Sequence, residues 1–136
     1  MQVKDVMSGK VATCEPTESL EAVARLMKKN DCGAVPVVSD GKVQGIITDR
    51  DIVVRAVAEG KNILDLDAAS CMTRDVESID ADASLEDCMS LMEKKQIRRV
   101  VVMDKKTGIA GIVAQADVAL NAPAKETGDV VKKVSR

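Results

Sequence analysis

The sequence predicts an α+β fold built from two copies of one β-α-β-β-α unit. The first observation is internal repetition: Ser19-Leu20-Glu21 recurs 65 residues later as Ser84-Leu85-Glu86, and Gly45-Ile46 recurs 66 residues later as Gly111-Ile112. The second is that each copy alternates an amphipathic helical pattern with short runs of β-branched residues. With 136 residues, the chain is long enough for one domain or for two small units that share a core.

Each copy is predicted to open with a helical turn and a short strand. The turns span Val3 to Met7 and Ala68 to Met72. The strands span Val11 to Thr13 and Val76 to Ile79, where β-branched residues favour an extended backbone. The two copies therefore begin with the same two elements.

A longer helix follows in each copy. Ser19 and Ser84 are typical N-cap residues, and Glu21 and Glu86 place a negative charge in the first turn. Apolar residues then recur at positions i, i+3, i+4 and i+7, which predicts that one face of each helix is buried. These residues are Leu20, Val23, Ala24 and Met27 in the first copy, and Leu85, Cys88, Met89 and Met92 in the second.

A β-hairpin and a closing helix complete each copy. Asp40-Gly41 is a typical two-residue hairpin turn, and Lys105-Lys106-Thr107-Gly108 is a longer one. The predicted strands are Ala34 to Val38, Val43 to Ile47, Arg99 to Met103 and Ile109 to Val113, and the predicted closing helices are Asp49 to about Ala58 and Ala116 to Leu120.

The predicted elements set the domain boundaries. Residues 1–60 form the first unit, residues 61–67 a linker and residues 68–120 the second unit. Residues 121–136 form a C-terminal tail, in which Thr127 to Val134 could form a short amphipathic helix.

The composition argues against nucleic acid as a partner. The chain has 20 basic and 22 acidic residues, so it lacks the positive excess that nucleic-acid-binding proteins carry. It also has no Phe, Tyr or Trp, and single-strand binding proteins stack bases on such rings. A mononucleotide remains compatible with the sequence, held by aliphatic side chains and backbone groups.

The cysteines and the hydropathy pattern indicate a cytoplasmic protein without a metal site. The four cysteines form no CxxC pair and the chain has no histidine, so we expect neither zinc nor another metal. The sequence shows no signal peptide and no apolar run near 18 residues, so we expect no membrane partner. In the cytoplasm the thiols would stay reduced.

The main candidate site is Gly45-Ile46-Ile47-Thr48-Asp49-Arg50-Asp51, where a strand is predicted to turn into a helix. Backbone N–H groups at such a junction can hold a phosphorylated ligand, and the Asp51 carboxylate can accept hydrogen bonds from the diol of a ribose. Thr48 and Asp51 are also ordinary residues for capping a helix. The recurrence of the pattern from Gly111 to Asp117 favours a ligand.

The order of elements and the motifs resemble CBS domains, which are named after cystathionine β-synthase. The resemblance covers residues 1 to about 120, and its clearest stretches are Val3-Lys4-Asp5-Val6-Met7, Gly33-Ala34-Val35-Pro36-Val37-Val38 and Gly45 to Ile52. It implies a stand-alone tandem CBS protein whose two units pack into one pseudo-twofold module with ligand clefts between them. Such modules usually form homodimers, and they commonly bind AMP, ADP, ATP, S-adenosylmethionine or NAD(H).

The resemblance assigns roles to individual residues. It places Asp51 and Asp117 on ribose hydroxyls, and Thr48 on a phosphate or on the turn itself. Arg98-Arg99-Val100-Val101-Val102 is similar to a His-Arg-Leu-Val-Val stretch in the γ subunit of AMP-activated kinase, which implies that Arg98 and Arg99 bind phosphate. The remaining site residues that it implies are Thr13 near the base, with Gly33, Ala34 and Pro36 as the pocket wall.

Two features of the second copy leave alternatives open. Ala114, Gln115 and Ala116 replace Thr-Asp-Arg, so the Asp117 site is either lost or takes a ligand that needs no hydroxyl donor. Arg98 and Arg99 are neighbours in a predicted strand and should point to opposite faces, so one of them could be a solvated charge.

The leading functional hypothesis is a non-catalytic regulatory module that binds an adenosyl ligand as effector, has no prosthetic group and signals to an unidentified protein partner. The alternative is a constitutive dimerisation or scaffold module whose clefts are vestigial, which Ala114 and the lack of aromatic rings favour. An enzyme is the third possibility, but the chain has no histidine, no activated nucleophile and no Gly-rich phosphate loop of the Walker kind.

Overall fold

The structure, a computed structural model, describes residues 1–9 and 11–121. These residues form two compact units, each with a core of its own. We call Ala12–Val76 the Asp51 unit, and residues 1–9, 11 and 77–121 the Asp117 unit. The predicted tail helix, Thr127 to Val134, lies outside the described residues.

Eleven strands and helices are assigned in the described residues. In chain order, the strands are β1 (Ser8–Gly9), β2 (Ala34–Ser39), β3 (Lys42–Thr48), β4 (Ser78–Asp80), β5 (Arg99–Asp104) and β6 (Gly108–Ala114). The helices are α1 (Leu20–Asn30), α2 (Asp49–Ile52), α3 (Ala68–Cys71), α4 (Leu85–Lys95) and α5 (Gln115–Asn121). Shorter turns are 3-10 at Val3–Asp5 and Ile63–Asp65, and a π-helical turn at Val53–Val57 extends α2.

The long helices and the hairpins match the sequence prediction. Ser19 and Ser84 cap α1 and α4, because each hydroxyl accepts a hydrogen bond from the backbone N–H three residues ahead. All four predicted apolar residues of α4 are buried, whereas Ala24 of α1 is exposed. Asp40 and Gly41 both have positive φ, as a type I′ hairpin turn requires.

The predicted opening strands are placed differently. Val11 to Thr13 is not a strand; β1 lies just before it at Ser8–Gly9, and Cys14 just after it makes an isolated bridge with Val37. In the second copy, the strand begins two residues later than predicted, at Ser78. The bounds of these short strands depend on pairing with strands that are distant in the sequence. A short run of β-branched residues therefore does not determine where such a strand begins and ends.

The Asp51 unit is built on the antiparallel hairpin of β2 and β3. Cys14 extends it along β2, since its N–H donates to the Pro36 carbonyl at 3.0 Å. Thr73 extends it along β3, since Thr73 and Ile46 exchange backbone hydrogen bonds of 2.8 and 3.0 Å. The core lies between the hairpin and the helices, and it includes Leu20, Val23, Val35, Val37, Ile47, Ala56 and Ala68.

The Asp117 unit has a four-stranded sheet in the order β1-β6-β5-β4. β4 runs parallel to β5, and the other pairs are antiparallel. β5 and β6 form the centre of this sheet. The chain passes directly from the end of β6 into α5, and the start of β5 lies beside this junction. Among the most deeply buried residues of its core are Val3, Cys88, Met92, Val100, Val102 and Val113.

The compact units differ from the predicted contiguous domains, residues 1–60 and 68–120. Val3 and Val6, in the first sequence copy, are buried in the core of the Asp117 unit. Val3 N–H donates to the Ala83 carbonyl at 2.9 Å, and Lys4 Nζ lies 3.0 Å from Asp82 Oδ1. The predicted linker, residues 61–67, likewise packs in the Asp51 unit, as does Ala68. The helical turn that opens the first sequence copy therefore packs in the Asp117 unit, which contains the hairpin of the second copy. The turn that opens the second copy packs in the Asp51 unit, which contains the hairpin of the first copy.

Two equivalent glycines permit these segments to approach the hairpins. A Cβ at Gly45 would lie 2.5 Å from the Thr73 carbonyl oxygen and 3.0 Å from Met72 Sδ. A Cβ at Gly111 would collide with the Ser8 carbonyl oxygen and lie 2.9 Å from Met7 Sδ. The glycine of each Gly-x-x-Thr/Ala motif is therefore required by close backbone packing.

Candidate functional site

The end of β3 and the start of α2 form a reciprocal capping box. Thr48 Oγ1 accepts a hydrogen bond from Asp51 N–H at 3.0 Å, and Asp51 Oδ2 accepts one from Thr48 N–H at 2.9 Å. Thr48 is buried, and the Asp51 side chain is 15 % exposed. The capping role considered from the sequence is therefore present at both residues.

The second carboxylate oxygen of Asp51 is less engaged. Asp51 Oδ1 lies 3.8 Å from Arg55 Nε, too far for a strong hydrogen bond. Arg55 also donates to the carbonyl oxygens of Cys71 and Met72, at 3.4 and 3.0 Å. Arg55 therefore links Asp51 to the end of α3, and Oδ1 retains capacity to accept hydrogen bonds from a ligand.

The start of β2 forms one side of this junction. Ala34 lies opposite Thr48 in the hairpin register, and Asp49 N–H donates to the Gly33 carbonyl at 3.0 Å. A Cβ at Gly33 would lie 3.0 Å from Asp49 Oδ2, so this position suits glycine. Gly33 and Ala34, two of the implied wall residues, are thus brought beside Thr48.

Pro36 and Thr13 lie further along the hairpin. Pro36 is buried and pairs with Ile46, and its carbonyl receives the N–H of Cys14, the residue after Thr13. Thr13 is exposed. Thr13 and Pro36 are therefore adjacent to each other in the Asp51 unit, two to three residue pairs away from the capping box.

The end of β6 and the start of α5 repeat the junction in the Asp117 unit. Asp117 Oδ2 accepts a hydrogen bond from Ala114 N–H at 2.8 Å, as Asp51 does from Thr48. Ala114 has no hydroxyl to return the bond, so this box is half complete. Arg99 lies opposite Ala114 in the register, and Gln115 N–H donates to the Arg98 carbonyl at 2.8 Å.

The side chains around the second junction include donors without partners. Arg98 and Arg99 are exposed, and within residues 1–9 and 11–121 no hydrogen bond or ion pair engages either guanidinium. Nε2 of Gln115 is buried, and it has no hydrogen-bond partner among the same residues. The first junction carries the carboxylates of Asp49 and Asp51 with Arg55 beside Asp51, and the second carries the carboxylate of Asp117.

The structure groups the predicted residues by unit. Thr48, Asp51, Gly33 and Ala34 meet at the first junction, and Arg98, Arg99 and Asp117 meet at the second. Sequence reasoning missed Arg55 as the partner of Asp51 and of the Cys71 and Met72 carbonyls. The i, i+4 spacing of Asp51 and Arg55 is the signal that could have indicated their pairing.

The buried cysteines have the environment of structural thiols. Burial raises the pKa of Cys14 and of Cys88 to about 11, and it also raises the pKa of Cys71. A thiol with a raised pKa is mostly protonated near neutrality and is a poor nucleophile. Over the described part of the chain, no three His, Cys, Asp or Glu side chains are grouped to hold a metal ion. Nor is any helix there long and apolar enough to cross a membrane.

Known proteins are similar in sequence to this chain over nearly its whole length. The chain is 37% identical over 134 residues to the CBS domain-containing protein YhcV of Bacillus subtilis, covering 98% of this chain and 94% of that protein. It is 33% identical over 132 residues to hypoxic response protein 1 of Mycobacterium tuberculosis, covering 96% and 92%.

Solved structures agree with the fold. Hypoxic Response Protein I, solved with two coordinated zinc ions, matches with a TM-score of 0.74 and 33% identity over 90% of this chain and 100% of that one. The CBS domain pair of protein MJ0100, solved in complex with 5′-methylthioadenosine and S-adenosyl-L-methionine, matches with a TM-score of 0.76 and 29% identity over 92% and 98%. The CBS domain model matches this chain twice, at residues 3–57 and 67–122. The chain therefore belongs to the CBS domain family, as a tandem pair.

Proposed function

We propose that this chain is a non-catalytic regulatory module that binds an adenosyl ligand in the cytoplasm. AMP, ADP and ATP are the first candidates, followed by S-adenosylmethionine and NAD(H). The observation that carries the proposal is the carboxylate placed in the same way at both strand-to-helix junctions, Asp51 by Thr48 N–H and Asp117 by Ala114 N–H. The adenosyl ligands of the MJ0100 domain pair support this ligand class.

The chemistry of the first junction suits a ribose. A ribose diol offers two hydroxyl donors, and Asp51 Oδ1 has lone pairs that its long contact with Arg55 does not use. The adenine would contact aliphatic side chains and backbone groups, because the chain has no aromatic residue on which a base could stack. Affinity would therefore depend strongly on hydrogen bonds to ribose and phosphate.

Arg55 connects the first junction to the end of α3, so a ligand at Asp51 can affect that helix. A diol that draws the Asp51 carboxylate toward the ligand competes with the Asp51–Arg55 contact of 3.8 Å. Arg55 also holds the Cys71 and Met72 carbonyls, so its displacement would loosen the end of α3. A ligand shifts such an equilibrium by its differential affinity for the two arrangements, and the partner protein would detect the change.

We include a homodimer in the proposal. Val53, Val54 and Val57 follow α2 and are 56, 43 and 52% exposed, so this stretch presents apolar surface that a second copy could cover. Zinc is not part of the proposed function, since in the described part of the chain no three His, Cys, Asp or Glu side chains are grouped to hold a metal ion.

Thermal unfolding with candidate ligands tests the proposal. We expect ATP, AMP, adenosine, S-adenosylmethionine or 5′-methylthioadenosine to raise the Tm, since a ligand at a hundredfold excess over its Kd adds about 2.7 kcal/mol. Calorimetry or circular dichroism should be used, because the chain lacks the aromatic residues that intrinsic fluorescence requires. No shift with any of these compounds at millimolar concentration would contradict the proposal.

The scaffold alternative has an observation of its own. Thr48 and Asp51 already satisfy each other in the capping box, and Ala114 removes the hydroxyl from the second copy. If the residues at both junctions act only as caps, the module binds nothing and serves as a constitutive dimer. The absence of any ligand-dependent shift would favour this alternative.

Replacing Asp51 with alanine separates the capping role from the ligand role. We expect adenosine to bind about tenfold more weakly, equivalent to ~1.4 kcal/mol, and the protein to lose about 1 kcal/mol of stability because the box is broken. Calorimetric titration of both proteins with adenosine and with 2′,3′-dideoxyadenosine gives a double-mutant cycle. The variant should no longer distinguish the two ligands. Equal loss for both compounds would show that Asp51 does not contact the ribose.

A further inference from the structure

Arg55 caps the C-terminal end of α3, the last helix of the Asp51 unit. Its Nη1 donates to the Met72 carbonyl at 3.0 Å and, at the longer distance of 3.4 Å, to the Cys71 carbonyl. The last carbonyls of a helix have no partner within the helix, and a basic side chain can satisfy them. The cap on α3 therefore comes from a residue 16 to 17 positions earlier in the chain.

The residues that follow this cap carry the chain from one unit to the other. Residues 73–76 are the last of the Asp51 unit, and Glu77 belongs to the Asp117 unit; we call residues 73–76 the crossing segment. Thr73, its first residue, exchanges backbone hydrogen bonds of 2.8 and 3.0 Å with Ile46 of β3. The Ile46–Thr73 pair and the Arg55 cap therefore both hold the chain directly before it crosses.

The same arginine lies beside the candidate ligand site. Its Nε is 3.8 Å from Asp51 Oδ1, and the Asp51 side chain is mostly buried, so solvent screens this attraction only in part. One guanidinium thus serves a carboxylate and two carbonyls, and each contact fixes the side chain for the other. A ribose hydroxyl that donates to Oδ1 weakens the attraction between Asp51 and Arg55, and with it the cap on α3.

The second junction has no equivalent of this link. The offset of 66 that aligns Asp51 with Asp117 also aligns Arg55 with Asn121. Asn121 is uncharged, and its Nδ2 donates to the Asp117 backbone carbonyl at 2.7 Å, within its own helix. Within residues 1–9 and 11–121, no lysine or arginine forms an ion pair with the Asp117 carboxylate.

We propose that Arg55 is a positioning residue that couples ligand binding at Asp51 to the crossing segment, and that only the first junction has this coupling. A ligand that engages Asp51 frees Arg55 and opens the cap on α3. A ligand beside Asp117 leaves the crossing segment as it is. The inference rests on the proposed function for the ligand and adds how binding at that site is regulated.

Hydrogen exchange of the full chain, with and without saturating adenosine or 5′-methylthioadenosine, is the first test. Both probes are uncharged, so phosphate contacts do not contribute. We expect either probe to speed exchange at least about fivefold in residues 68–76, where the Met72 and Thr73 N–H groups report the cap, and to leave residues 3–9 unchanged. Residues 3–9 are the equivalent segment of the Asp117 unit, so faster exchange in both peptides, or in neither, would overturn the inference.

Replacing Arg55 with methionine removes the guanidinium and keeps an unbranched side chain. We expect residues 68–76 of ligand-free Arg55→Met to exchange as fast as in the ligand-bound wild type, with no further effect of adenosine. Calorimetric titration should show adenosine bound at least about fivefold more tightly, because coupling is reciprocal and the ligand no longer opens a cap. Weaker binding would overturn the inference, since a residue that only shapes the site loses affinity when it is replaced.

Two further variants complete the test. Arg55→Lys keeps the charge but not the planar fork, so both values should lie between those of Arg55→Met and the wild type. Arg25→Met is the matched control, because Arg25 also pairs with a carboxylate four residues earlier, Glu21, at 2.6 Å and in the same unit. It should change neither the exchange of residues 68–76 nor the affinity for adenosine. An equal effect of Arg25→Met would overturn the inference.

The outcomes distinguish this inference from the proposed function. Binding of adenosine without a change in residues 68–76, or without an effect of Arg55→Met, overturns the coupling and leaves the adenosyl proposal intact. A wild-type protein that binds neither probe, nor any other adenosyl ligand, overturns both.

Discussion

Replacing Arg98 and Arg99 together with alanine is expected to weaken ATP binding about a hundredfold or more. Each hydrogen bond from a guanidinium to phosphate contributes roughly 1.5–3 kcal/mol, and ~1.4 kcal/mol corresponds to one factor of ten in Kd. Both side chains are exposed and, in residues 1–9 and 11–121, free of ion pairs, so their removal should hardly change the stability. Calorimetric titration with ATP, AMP and adenosine measures the effect.

The chain supplies a matched control for this double variant. Lys105 and Lys106 are also adjacent, exposed cations, and they lie in the turn at the opposite end of β5 and β6. Replacing both with alanine removes the same charge from the same unit without touching the junction. We expect the ATP affinity to change by less than twofold. This change should become smaller still in high salt, because salt screens the charges of the two lysines. Equal losses in the two double variants would show that net charge, and not phosphate contact, governs binding.

Replacing Gly111 with alanine is expected to destabilise the protein by about 1–3 kcal/mol, the usual cost of overpacking. The added Cβ would meet the Ser8 carbonyl oxygen and Met7 Sδ, and backbone atoms in a paired strand cannot easily move away. The change should separate the N-terminal segment from β6, since β1 pairs with Gly111 and Ile112. Urea unfolding followed by circular dichroism gives the free energy of unfolding.

Gly9 provides the control for Gly111. It lies in β1, next to the same contact, and a Cβ there would meet no atom within 4 Å. Gly9→Ala should change the free energy of unfolding by less than about 0.5 kcal/mol. Gly45→Ala should behave like Gly111→Ala, because its Cβ would meet the Thr73 carbonyl oxygen at 2.5 Å. Wild-type stability of Gly111→Ala would show that the N-terminal segment does not pack on β6 as described.

The candidate site was predictable from the sequence as a set of motifs but not as a set of contacts. The repeat of Gly-x-x-Thr/Ala with a downstream aspartate identified both junctions, because a strand, turn and helix in succession are encoded locally. The sequence left open whether Asp51 caps a helix or binds a ligand, and the structure shows that it caps with Oδ2 while Oδ1 has only a long contact with Arg55. The unsatisfied Gln115 donor has no sequence signal, because burial depends on residues distant in the chain.

By itself, the sequence determined the repeated α+β architecture, the capped helices with their buried faces and the hairpin turns of this protein. These features follow from side-chain periodicity, N-cap hydroxyls and positive-φ turn residues, all of which act within a few neighbouring positions. Only the tertiary structure decided that Val3 and Val6 belong to the core of the unit formed by the second repeat. A short apolar turn can bury its side chains against either hairpin, and the choice depends on packing and backbone pairing between segments about 80 to 110 residues apart.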